Sequence, residues 1–272
     1  MLNLRKLVIE GTGMRFVRFQ SGRDLPRYGW VYENKVGPVD GSIFDEYRRQ
    51  EATLPLDSVR LLAPVVPSKI ICIGHNYVEH AHEQGEDVPD MPLLFLKPPS
   101  SVIGTGAAIE IPPQSHQVEH EAELAVIIGR EGRWIPLEMV KNYILGYTIA
   151  NDVTARDLEQ RDGQWTRGKG FDTFCPLGPW IETELDPADA LIRCRVDGEI
   201  RQMASTRDMV FTVPQLVAFV SSVMRLMPGD VILTGTPAGI GPLEANNVVE
   251  ISIEGIGSLM NPVRNSVMGQ IT

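Results

Sequence analysis

Cysteine is almost missing from this chain. Cys72, Cys175 and Cys194 are three among 272 residues, odd in number and widely spaced, which argues against a disulfide framework. With no Cys-x-x-Cys and no paired histidine ligands, zinc is also a poor fit. Aromatic residues reach only 7%, without the aromatic-rich groove of a sugar-processing enzyme. Positive charge is short too: 25 Lys and Arg face 35 Asp and Glu, a formal net charge of −10. Neither nucleic acid nor an anionic membrane is therefore an expected partner. No apolar run approaches the length of a membrane span. Residues 1–10 have neither the apolar length nor the cleavage site of a signal peptide. These gaps together point to a reduced, cytoplasmic setting.

What is present is a 43% hydrophobic share, enough for a large core, punctuated by 25 Gly and 20 Pro. The organisation reads as a small β-rich N-terminal domain over residues 1–66 and a main domain over 67–272. Met14, followed by Arg-Phe-Val-Arg-Phe, reads as a natural start, so residues 1–13 are expected to be an extension. Short strands broken by turns fill 14–43, a brief charged helix is expected around Asp45–Glu51, and 61–68 reads as a linker. Beyond it, apolar β-type segments lie at 69–73, 93–96, 123–129, 143–150, 191–196, 230–234 and 248–253. One core helix is expected over 213–227, with Thr212 as cap, Pro214 in its first turn and Pro228-Gly229 as its stop. The fold class is a mixed, β-rich α+β protein.

The chemistry concentrates in carboxylates. Glu121 and Glu123 head an apolar strand, and residues two apart on a strand face the same way. A second apolar segment, 143–150, runs directly into Asn151-Asp152. Three carboxylates at the ends of two core strands suit a hard divalent cation such as Mg²⁺ or Mn²⁺. A solvated strand edge and a turn-capping aspartate are the plainer alternatives. His80 and Glu83 are neighbours on one face if their segment is helical, which prepares a general base. His82 would point elsewhere. Lys169, between two glycines before a hydrophobic run, and Lys97, ending an apolar strand, are the candidate cations for an anionic substrate. Most of the charged stretch 156–169 reads as a solvated loop. The Gly-rich loop 234–241 lacks the ending of a phosphate loop, although its N–H groups can hold a carboxylate.

Taken together, IGHNYVEHAHE, FLKPPSSVIGTG, EHEAELAVIIGR, GYTIANDVTARDLE, KGFDTFCPLGPWI, STRDMVF and ILTGTPAGIG resemble the fumarylacetoacetate hydrolase family, in family order over roughly residues 69–265. Within it the chain is similar to bacterial acylpyruvases and hydroxyhepta-dienedioate isomerases. The resemblance implies a β-roll catalytic domain, a homodimer and a site for Mg²⁺ or Mn²⁺. It carries the metal ligands onto Glu121, Glu123 and Asp152, and the lid histidine and glutamate onto His80 and Glu83. The active-site lysine and its nearby threonine fall on Lys169 and Thr173, and the substrate-binding threonine on Thr236. Tyr77 and Lys97 complete the candidate substrate contacts. Two positions depart: His75 stands where many relatives carry Arg or Leu, and Glu159 stands where some carry Gln, so that a carboxylate replaces an amide near the substrate.

The implied substrate is a small anionic 2-oxo acid with a second carbonyl. The expected reaction is C–C hydrolysis of an acylpyruvate such as fumarylpyruvate, with His80 activating water and Lys169 stabilising charge. Decarboxylation of oxaloacetate, or isomerisation of a hydroxymuconate-type dienol acid, is the alternative on the same site. A glycosidase is disfavoured because neighbours on one strand do not flank a sugar bond. A non-catalytic metal-binding scaffold is disfavoured by His80, Glu83 and Lys169 beside the ligands.

Overall fold

The computed structural model describes residues 13–267; the expected extension therefore lies, except for Gly13, outside the described residues. A 13-stranded sheet forms the body. Its path runs Tyr47–Arg49, Lys35–Gly41, Arg27–Tyr32, Arg15–Gln20, Cys175–Glu182, Ile144–Asn151, Ala122–Ile128, Val231–Leu233, Ile70–Gly74 and Leu93–Lys97. A five-stranded sheet (Ile109–Ile111, Gly257–Asn265, Val248–Ile253, Leu191–Val196, Glu199–Ser205) packs with it. A three-stranded sheet joins Thr154–Ala155, Val118–His120 and Gly241–Pro242.

The composition of each strand matches its place. Ala122–Ile128, Ile70–Gly74 and Val231–Leu233 are buried at every position, as expected of strands covered on both faces. Val248–Ile253 and Leu191–Val196 alternate buried and half-buried residues, the mark of one covered face. The N-terminal strand joins the body directly: Phe16 pairs with Ile181, and Arg15 Nε donates to Glu182 Oε2 at 3.0 Å in a buried ion pair. Arg15 also lies 5.2 Å from the centre of the Trp180 ring. No helix among the described residues is long and apolar enough to cross a membrane.

Three local expectations fail. Asp45–Glu51 is not a helix: Tyr47–Arg49 is an exposed edge strand whose ladder to Lys35–Gly41 outweighs its charged composition. The core helix spans Val213–Val223 and stops before 227, because Met224 is extended and Leu226 exchanges both backbone hydrogen bonds with Gly132. Part of the 61–68 linker is strand, since Leu61 and Leu62 pair with Arg15–Gln20. The Thr212 cap is present, with Gln215 closing a capping box.

Candidate active site and metal centre

The carboxylates converge because the chain changes sheets between them. Val118–His120 pairs in the three-stranded sheet, Ala122–Ile128 pairs in the main one, and Glu121 stands at the junction. Its backbone N–H donates to Asn151 Oδ1 at 3.0 Å, and its carbonyl accepts from Asp152 N at 2.9 Å. These two bonds lock the strand ends together. One oxygen each from Glu121, Glu123 and Asp152 lies within 4.8 Å of the others, and all three residues are buried.

Charge decides how such a cluster survives. Five buried carboxylates gather here: the three above with Glu119 and Glu159. Three buried cations answer them. Arg156 reaches Glu119 at 2.8 Å and also bonds Glu121 and Glu159. Lys169 Nζ lies 2.8 Å from Glu121 and 3.1 Å from Asp152. Lys97 Nζ donates to Asp152 Oδ1 at 2.6 Å and to the Val153 carbonyl at 3.0 Å. With all five ionised, two negative charges are left over, which equals the charge of one divalent cation. The donor set is all oxygen, so hard cations such as Mg²⁺ and Mn²⁺ fit it.

The deficit localises on Glu123. Burial, then the nearby Asp152 and Glu121 charges, push its carboxyl well above the ordinary 4.5. Among the described residues no ion pair involves it; its Oε2 accepts the Gly235 N–H at 2.6 Å. Burial works against Glu121 as well, but Lys169 and Arg156 overcome it and hold that carboxyl below the usual range. Burial raises Glu159 despite Lys169 and Arg156. The same carboxylates outweigh burial for Lys169 and keep its ammonium charged far above ordinary conditions.

The segment Val78–Glu83 is a short helix, so His80 and Glu83 do share a face. His80 Nδ1 lies 3.2 Å from Glu83 Oε2, and Glu83 Oε1 accepts from Gly239 N at 3.0 Å. Glu83 therefore ties the helix to the 234–241 loop and assigns the imidazole proton to Nδ1, leaving Nε2 with a free lone pair. His80, Glu121, Glu123, Lys169, Thr236 and Glu159 line one cavity of about 20 Å³. Aromatic rings bound its other side: His75, which takes a left-handed φ of 54°, Phe95 and Trp165.

Thr236 Oγ1 donates to the Ala122 carbonyl at 2.9 Å and accepts from Gln202 Nε2 at 2.8 Å. Three candidate substrate contacts do not line the cavity. Lys97 stands behind Asp152 and braces its carboxylate. Thr173 Oγ1 accepts from Glu110 N at 2.9 Å, a link between segments. Tyr77 is buried with its hydroxyl unpartnered, and burial raises its pKa.

Sequence reasoning missed Arg156, read as part of a solvated loop, and Gln202. No local pattern in Glu199–Ser205 points to the latter, which acts 80 residues away by accepting Ala122 N at 3.0 Å. His120 Nδ1 lies 3.0 Å from the same Gln202 oxygen. Glu159 does not meet a substrate as a bare charge, because Arg156 is bonded to it.

Residues 69–264 match the fumarylacetoacetate hydrolase C-terminal family, and 14–64 match the Rv2993c-like N-terminal family. Protein Rv2993c of Mycobacterium tuberculosis is 51% identical over 77% of this chain and 80% of its own length. A mitochondrial oxaloacetate tautomerase of Xenopus laevis is 41% identical over 92% of this chain and 90% of its own. The structure of a 5-carboxymethyl-2-hydroxymuconate delta-isomerase from Mycobacterium smegmatis superposes with a TM-score of 0.87 at 43% identity, covering 93% of this chain and all of that one. A maleylpyruvate hydrolase from Sphingobium, solved with manganese(II) and pyruvate, superposes at 0.77 with 32% identity over the same shares. Matched over residues 69–264, with Glu121, Glu123 and Asp152 gathered and His80 beside Glu83, the chain belongs to the fumarylacetoacetate hydrolase family.

Proposed function

We propose that this enzyme moves a proton at the carbon beside the carbonyl of a small 2-oxo acid, interconverting keto and enol forms, with oxaloacetate as the leading substrate. The observation that carries this reading is His80, held by Glu83 beside a small cavity that Lys169, Glu121 and Glu123 also line. The 41% identity to an oxaloacetate tautomerase supports it. Glu121, Glu123 and Asp152 would hold Mg²⁺ or Mn²⁺, which when bound supplies Lewis-acid stabilisation of negative charge on the 2-oxo oxygen, worth several kcal/mol. His80 Nε2 takes the proton from C3, and Glu83 stabilises the imidazolium that results. The same nitrogen returns the proton to oxygen, completing the tautomerisation. Lys169, held charged, offsets the negative charge of the substrate carboxylate. The small cavity and its aromatic side keep water from the reacting carbon.

C–C hydrolysis of an acylpyruvate is the second reading, favoured by the similarity to a maleylpyruvate hydrolase. It needs the same dyad to activate water at the distal carbonyl. Enol absorbance of oxaloacetate, followed with Mg²⁺ and with Mn²⁺, tests the first reading. His80→Ala is expected to slow tautomerisation by ~10²–10⁴-fold while metal-assisted decarboxylation survives. No acceleration of ketonisation with either metal would refute it, and faster turnover of an acylpyruvate would assign the hydrolase.

A further inference from the structure

Two spaces of very different size meet at one side chain. The catalytic cavity is narrow, about 20 Å³. Beside it runs a groove of about 800 Å³ lined by Leu93, Leu94, Leu96, Pro98 and Pro99. Trp165 and Phe95 belong to both linings. The Trp165 ring meets Phe95 edge-on with centroids 5.0 Å apart and lies 5.8 Å from His75. Its other support is Gly74. A Cβ built there would come within 2.8 Å of ring carbon Cζ3 and 2.9 Å of Cη2, so the indole rests on bare backbone. Gly74 does not have a positive φ, so this close approach, not backbone conformation, is what calls for glycine there.

We infer that Trp165 is the specificity-determining partition of this site: with its ring on Gly74 it admits short 2-oxo acids, and its displacement opens the cavity into the groove for acids carrying an apolar tail. The inference builds on the 2-oxo acid reading above. The chemistry of the groove sets the class of tail. Its two lysines are committed, Lys69 to Asp230 and Lys97 to Asp152. A second carboxylate would find no unpaired cation there, whereas an alkyl or aryl group would find leucine, proline and aromatic surface.

The test measures Mn²⁺-dependent binding of pyruvate and of phenylpyruvate, an aryl-tailed 2-oxo acid, by calorimetry on the metal-loaded protein, alongside their inhibition of oxaloacetate turnover. Trp165→Ala removes the partition. Gly74→Ala pushes the ring away while keeping it in the chain, and serves if the first variant folds poorly. Both are expected to raise the preference for phenylpyruvate over pyruvate by ~10-fold or more. An unchanged preference in both variants overturns the inference, as does wild-type protein that binds phenylpyruvate as tightly as pyruvate. If oxaloacetate is not turned over but the binding preference shifts, the partition stands and the proposed reaction falls.

Discussion

Glu123 has no ion-pair partner in the cluster, so ionising it in the fold has a measurable cost. In the unfolded chain its carboxyl ionises near the ordinary 4.5; in the fold it holds its proton to higher pH. Between those two values the folded state binds more protons, so stability falls as pH rises, by at most about 1.4 kcal/mol per pH unit. Glu121 works the other way: its stabilisation is present above 4.5 and lost as pH falls through its depressed value, outside this window. His75 and His120, lowered by burial, add stability as pH rises towards 6.5, so thermal melts of chelator-treated protein should show the drop in midpoint above about pH 6.5. Glu123→Gln should reduce that slope, leaving the part that the raised Glu159 contributes, and abolish Mn²⁺ binding, and added Mn²⁺ should restore the wild-type midpoint. At this scale the gathering of Glu121, Glu123 and Asp152 and the pairing of His80 with Glu83 were legible, because each sits in a short pattern whose spacing survives folding. Arg156 was not. It stands among charges that look solvated, and its partners Glu119 and Glu121 lie 37 and 35 residues away.

The strand Glu199–Ser205 contributes a single buried amide to the site, and that amide joins three segments. Gln202 accepts Ala122 N between the two glutamate ligands and donates to Thr236 and to the Pro237 carbonyl at 2.7 Å. Gln202→Leu removes these bonds, leaving Thr236 only its donation to the Ala122 carbonyl. It should weaken Mn²⁺ binding by ~10–100-fold, as loss of an outer-shell partner does. Electron paramagnetic resonance titration checks the affinity, and melting of the metal-free variant separates it from lost stability. Elements with strong apolar β-type runs were readable from sequence, among them Ala122–Ile128 and Val248–Ile253. The central strand Cys175–Glu182 was not. Pro176, Gly178 and Pro179 interrupt its apolar pattern, and the ladder accommodates them with an irregularity between Tyr147 and Ile149.

Across the whole molecule, the N-terminal strands extend the main sheet rather than forming a separate layer. Arg15–Gln20 covers the edge of Cys175–Glu182, and Arg15 partners the buried Glu182. A chain starting at residue 65 would expose that edge and leave Glu182 without Arg15. It should aggregate or melt well below the full-length protein, by size-exclusion chromatography and calorimetry. A β-rich α+β class was legible in composition and periodicity. The order of strands was not, since the pairing of Arg15 with Glu182 spans 167 residues and leaves no local trace.

Trp165 and Lys169 occupy one helical turn, closed by the Lys169 N–H donating to the Trp165 carbonyl at 2.9 Å. Doorway and counter-charge are thus mounted on the same rigid bracket. On the inference above, a molecule that displaces the indole presses on the same turn that carries the ammonium bonded to Glu121 and Asp152.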